Sequence, residues 1–120
     1  MANRTFKGVQ ALNRGVVLIA GRVTQGASDP SVTDGLGFSV AKNGDGDYTI
    51  TLEDKYVGLL HAGVTYVGAA DETFAQVTAH DVSSAKTVQV KFYGDDGAAQ
   101  ALAENDQFTF MLALRNSTVP

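Results

Sequence analysis

The chain has 120 residues, 44% apolar and 18% charged, with 13 glycines, 2 prolines, no cysteine and a formal charge of −4. This composition describes one folded domain; it excludes disulfides, thiolate metal sites and a cysteine nucleophile. The opening residues lead into no apolar run with a small-residue cleavage site, and the longest apolar run, residues 16–20, is too short for a bilayer, so the expectation is a chain made in the cytoplasm with no membrane partner.

Charge is unevenly spread. Residues 1–28 hold Arg4, Lys7, Arg14 and Arg22 and no acid, so the remainder sets five basic residues against 13 acidic ones and carries −8. An acidic body repels nucleic acid, which is bound by neutralising phosphates. The basic segment can still meet an anionic protein surface, or its charges are simply solvated.

Residues 1–12 place Phe6, Val9 and Leu12 among Arg4 and Lys7. They read either as an extended arm lying along another subunit or as an edge strand of their own domain. Residues 16–24, VVLIAGRVT, are apolar on both faces, which predicts a central strand. A Gly- and Asp-rich stretch, 25–37, then predicts a loop, and 37–43, GFSVAKN, a strand.

The segment AKNGDGDYTITLED, residues 41–54, poses a choice between a calcium loop and a turn. Read from Asn43, a twelve-residue cation loop puts Asp45 third, Asp47 fifth and Asp54 twelfth. Tyr48 then stands where the sharp turn needs glycine, Asp54 replaces the bidentate Glu, and the flanks read as strands. The residues fit a hairpin turn better, with Asn43-Gly44 suited to positive φ. A loose surface ion site at Asp45 and Asp47 stays open.

In 47–53 Tyr48, Ile50 and Leu52 alternate with Thr49, Thr51 and Glu53, the period of a half-buried strand. A helical turn is predicted from Asp54, as N-cap, to Gly63. Strands are expected at 63–69 and 73–82. In 86–92 Val88, Val90 and Phe92 oppose Thr87, Gln89 and Lys91, and in 108–115 Phe108, Phe110, Leu112 and Leu114 form one face. Between these last two, residues 97–104 are a helical turn or a loop. The fold class is therefore all-β: a single-domain antiparallel sandwich or barrel of about seven to eight short strands, with at most one or two helical turns.

Catalytic patterns are thin. His80, Asp81, Ser83 and Ser84 are neighbours in sequence and read as a polar turn, since a triad needs side chains that converge. His61, in LLHAG, reads as a packed or hydrogen-bonded residue. The carboxylate pairs Glu53-Asp54, Asp71-Glu72 and Asp95-Asp96 fall in predicted turns, where solvated charge is the simpler reading than glycosidase chemistry. No phosphate-cradling loop, nucleophile elbow or dinucleotide fingerprint is present. Asn3-Arg4-Thr5 and Asn116-Ser117-Thr118 match the glycosylation pattern, which matters only in a secreted eukaryotic chain. Trp is absent, and of the four tyrosines Tyr56 and Tyr93 are the candidates for a sugar platform. No enzyme activity and no cofactor is expected.

The opening MANRTF, the segments GVVLIAGRVTQGASD and GDYTITLEDKYVGLL, and the ending FMLALRNSTVP together resemble small structural proteins of tailed bacteriophages, most of all head decoration (cement) proteins. The likeness covers nearly the whole length and consists of strand and turn patterns. It implies a β-rich protomer, a trimer or dimer, that binds the major capsid protein on the outer surface of the assembled head and bridges capsomers. Placement in the chain nominates Arg4, Phe6, Lys7, Val9 and Arg14 as arm contacts, with Arg115 and Asn116 at the other end. A carbohydrate-binding module of a virion tail or fibre is the alternative.

Overall fold

A computed structural model describes residues 15–69 and 73–115. They form eight strands: β1 (Val16–Gln25), β2 (Pro30–Asp34), β3 (Phe38–Gly44), β4 (Asp47–Leu52), β5 (Gly58–Val67), β6 (Phe74–Asp81), β7 (Thr87–Tyr93) and β8 (Gln107–Arg115). Two four-stranded sheets result, ordered β2-β1-β8-β5 and β3-β4-β7-β6, with every pairing antiparallel. We call them sheet A and sheet B. This is the expected β-sandwich, and among the described residues it contains no helix.

Alternation builds the core. Tyr48, Ile50 and Leu52 of β4, Val88, Val90 and Phe92 of β7, and Phe108, Phe110, Leu112 and Leu114 of β8 are all buried, because each strand turns every second side chain inward. Ile19 and Val23 of β1 and Phe38 of β3 join them. Gly21 also sits on the inner side of β1, and there the Phe38 ring fills its place: a Cβ on Gly21 would lie 2.2 Å from that ring, which meets Phe110 edge-on at 4.8 Å. Leu102, from the long β7–β8 connection, closes one end of the core.

One buried polar contact crosses the core. The Tyr48 hydroxyl donates to Gln25 Oε1, joining β4 of sheet B to β1 of sheet A. The Gln25 amide nitrogen donates to the carbonyls of Gly26 at 3.1 Å and Ser28 at 3.3 Å. Its backbone is tied to the β7–β8 connection, donating to Asp106 O at 2.8 Å and accepting from Asn105 N at 2.7 Å. Burial first, then the negative charges of Asp106 and Asp45, push the Tyr48 phenol up to about 12, so it stays a neutral donor across the physiological range.

Two local expectations are corrected. The helical turn expected over 54–63 is absent: β5 begins at Gly58, and a bulge between Leu59 and His61 breaks the alternation that would have marked LLHAG as strand. Within 25–37, PSVTD is a short edge strand, starting on proline as edge strands allow. Residues 97–104 are the loop of the two alternatives, held by Gly94 N to Ala98 O at 3.0 Å and Gln100 N to Phe92 O at 2.9 Å.

The hairpin at the Gly- and Asp-rich segment is a turn, as expected, but centred one dipeptide later, on Asp45-Gly46. Gly46 has φ +68°, and a Cβ there would lie 2.4 Å from the Gln100 carbonyl oxygen. The glycine thus serves both the left-handed backbone and the close approach of the β7–β8 loop.

Candidate interaction face

The outward sides of the two sheets differ. Cross-strand register on sheet B lines up Ser39, Thr51, Thr87 and Asp81 in one row, Ala41, Thr49, Gln89 and Ala79 in the next, and Asp47, Lys91 and Gln76 in a third. A fourth row sets exposed Phe74 beside Tyr93, so this face is polar over most of its area and apolar at one end. On sheet A the rows across β1, β8 and β5 read Leu18, Ala113, His61; then Ala20, Met111, Gly63; then Arg22, Thr109, Thr65. Small and apolar residues dominate, and Leu18 and Met111 are 64% and 50% exposed.

Small side chains around a long one make this face concave. Ala20, Gly63 and Thr65 surround Met111 in an open groove of about 550 Å³, which Arg22 and Asp34 border at one end. Those two form an ion pair, so the charge at that end is largely cancelled. Beyond it the Thr24 and Thr33 hydroxyls hydrogen-bond each other, and Gln107 Nε2 donates to Thr24 Oγ1 at 3.2 Å. The face therefore grades from a polar end to an apolar centre.

At the opposite end the first residue of β1 and the last of β8 meet. Val16 at the start of β1 pairs with Arg115 at the end of β8, and Gly58 flanks Arg115 on the other side. Val57 N donates to Arg115 O at 2.8 Å, which fixes that corner. The structure thus brings one nominated contact, Arg115, to the rim of the apolar face. Arg4, Phe6, Lys7, Val9, Arg14 and Asn116 lie outside the described residues.

The residues weighed for chemistry are dispersed. His80 and Asp81 are both exposed near the end of β6, and Asp81 Oδ1 accepts from Ser84 N at 3.1 Å, the geometry of a turn. His61 is corrected from packed to exposed, because the bulge sets it on the outer face of sheet A. Asp45 is exposed at its turn, and among the described residues no three His, Cys, Asp or Glu side chains gather as metal ligands.

Of the two tyrosines considered for a sugar platform, Tyr56 packs against the core, and burial followed by the charges of Asp54 and Glu53 raises its phenol. Tyr93 lies opposite Phe74 on the outer side of sheet B, and Phe74 is 59% exposed.

The apolar outer face of sheet A was missed by sequence reasoning, although one signal for it was present: the apolar character of β1 on both sides. That signal correctly places β1 in the sheet interior. Its outer side is not covered by a further layer among the described residues. No known protein family, curated protein or solved structure matches the chain.

Proposed function

We propose that the chain is a virion structural protein of the head-decoration kind, which binds the assembled phage head by laying the outer face of sheet A against the major capsid protein. The supporting observation is the outer face of sheet A, where Leu18, Ala20, Met111, Ala113 and Gly63 gather around a groove, whereas the outer face of sheet B is mostly Ser, Thr, Gln and charged residues, with exposed Phe74 beside Tyr93 at one end. An apolar centre rimmed by polar groups is the anatomy of a protein-docking patch. Arg115, at its rim, joins this contact surface, and the contacts nominated from the sequence, Arg4, Phe6, Lys7, Val9, Arg14 and Asn116, are the further candidates.

The mechanism is mechanical. Covering what remains exposed of Leu18 and Met111 stabilises each contact by about 1 kcal/mol per side chain. Because the surface is covered only in the assembled particle, binding shifts the equilibrium against shell opening. Oligomerisation to a dimer or trimer multiplies weak contacts.

The test is co-sedimentation of the purified chain with empty heads of the phage that encodes it. Leu18→Asp with Met111→Asp should keep a cooperative unfolding transition, lowered by about 1–2 kcal/mol because both side chains face mainly outward, and should abolish pelleting. Full binding by that variant would refute the assignment of the face.

A sugar-binding reading has one observation in its favour, the Phe74 and Tyr93 pair on sheet B. It predicts glycan-array binding that Phe74→Ala removes; an array with no signal disposes of it.

A further inference from the structure

In four places an asparagine or aspartate precedes a glycine: Asp34-Gly35, Asn43-Gly44, Asp45-Gly46 and Asp96-Gly97. Such a pair can react with itself. The glycine nitrogen, uncrowded by a Cβ, attacks the side-chain carbonyl carbon of the residue before it and closes a five-membered ring, at a rate set by how freely the two groups meet. The four pairs differ sharply on that criterion.

Three of them are held. Asp34 is engaged by the Arg22 guanidinium, and Gly35, at φ +112°, is wedged where a Cβ would lie 2.7 Å from both the Ala20 carbonyl oxygen and the Phe38 ring. Gly46, at φ +68°, is pressed on the Gln100 carbonyl, and its own carbonyl accepts from Phe92 N at 2.8 Å. Asp96 Oδ1 accepts from Ala98 N at 3.0 Å, and the Gly97 nitrogen, which would have to attack, donates to Gly94 O at 3.0 Å. A carboxylate is in any case a poorer electrophile than an amide.

Asn43-Gly44 is the open pair, and it alone of the four carries an amide. Asn43 is exposed, and the β3–β4 register slips between Lys42 and Gly44, so Asn43 is the extra residue of a bulge. A Cβ on Gly44 would meet nothing within 4 Å, which leaves room for the ring. Gly44 faces Asp47 at the last pair before the turn, and hairpin tips are where strands open most easily. One contact restrains the amide: Asn43 Nδ2 donates to Thr49 Oγ1 at 2.6 Å.

We propose that Asn43 is a self-modification site, converted without an enzyme to aspartate and isoaspartate. The Gly44 nitrogen gives its proton to water and bonds to Asn43 Cγ; the Cγ–Nδ2 bond breaks, and the amide nitrogen takes up a proton and leaves as ammonia. Water then adds to one of the two carbonyl carbons of the succinimide and opens it, to aspartate or, with the main chain rerouted through the side chain, to isoaspartate. Water is the sole co-reactant. The product adds a negative charge next to Asp45 and Asp47 in the turn, and the isoaspartate form lengthens the β3 main chain by one carbon at a bulge that already accommodates an extra residue. The sandwich therefore survives the change. Head binding plays no part in this inference.

Peptide mass spectrometry on the folded chain, sampled during storage in mildly alkaline buffer, tests it. The peptide holding Asn43 should gain one mass unit and resolve into two products, isoaspartate in excess, while Asp34, Asp45 and Asp96 stay unisomerised. Gly44→Ala, whose methyl group enters open space, should slow the conversion at least several-fold. Thr49→Val, which frees the amide, should speed it, and Thr49→Ser should restore the original rate. An Asn43 that stays intact in the folded chain while the urea-unfolded chain converts overturns the proposal, as does isoaspartate that appears first at Asp45. A rate unmoved by Thr49→Val overturns the restraining role of Thr49.

Discussion

Replacing Tyr48 by Phe tests the tie between the two sheets. The substitution removes one oxygen from a fully buried side chain and keeps the ring, which meets Phe92 edge-on at 5.8 Å and Phe108 at 5.3 Å. What is lost is the donor to Gln25 Oε1, on a residue only 2% exposed. The amide cannot rotate to compensate, because its nitrogen is held by the Gly26 and Ser28 carbonyls. A buried acceptor left without a donor costs about 1–3 kcal/mol. For a domain of this size each kcal/mol moves the midpoint by roughly 3–5 °C, so a fall of roughly 3–15 °C is expected. Thermal and urea unfolding of the wild type, Tyr48→Phe, Gln25→Leu and the double variant would show it, with a coupling energy of about 1 kcal/mol or more between the two positions. A Tyr48→Phe protein within about 0.5 kcal/mol of wild type would refute the cross-sheet bond, since surface-like changes stay within that range.

The same phenol gives an alkaline prediction. Its folded value, about 12, lies above the ordinary 10, so its contribution is complete below pH 10 and is lost as pH rises through 12. The loss reaches at most about 3 kcal/mol, and Tyr48→Phe should flatten the decline measured by urea unfolding between pH 9 and pH 11.5. Gly21→Ala forces a methyl group toward the Phe38 ring and should destabilise by about 1–3 kcal/mol in chemical unfolding, with Phe38→Leu in the same chain restoring part of it.

The sequence was most legible where burial is one-sided and uninterrupted. Strands β4, β7 and β8 alternate without a break, and their inward sets are the observed core. It was least legible where a local device breaks that period. The bulge after Leu59 made the start of β5 resemble a helical turn, and β2, five exposed or half-exposed residues at an edge, has too little burial to impose any alternation. The turn was shifted by one dipeptide because Asn43-Gly44 and Asp45-Gly46 are equally good turn formers; what selects Gly46 is the Gln100 carbonyl, 54 positions away in sequence and invisible to local reading. The apolar outer face of sheet A escaped for a related reason. Leu18 and Met111 alternate correctly as outward residues, and only the cross-strand register shows that Ala20, Ala113 and Gly63 gather around them.

Met111 offers the most direct test of the central claim. It is the only methionine beyond Met1, lies at the middle of the sheet A face, and is half exposed in the isolated protein. Hydroxyl-radical oxidation followed by peptide mass spectrometry should convert it readily in the free chain and at least several-fold more slowly in chain that has pelleted with empty heads. Equal oxidation of Met111 in the free and head-associated protein would contradict the account.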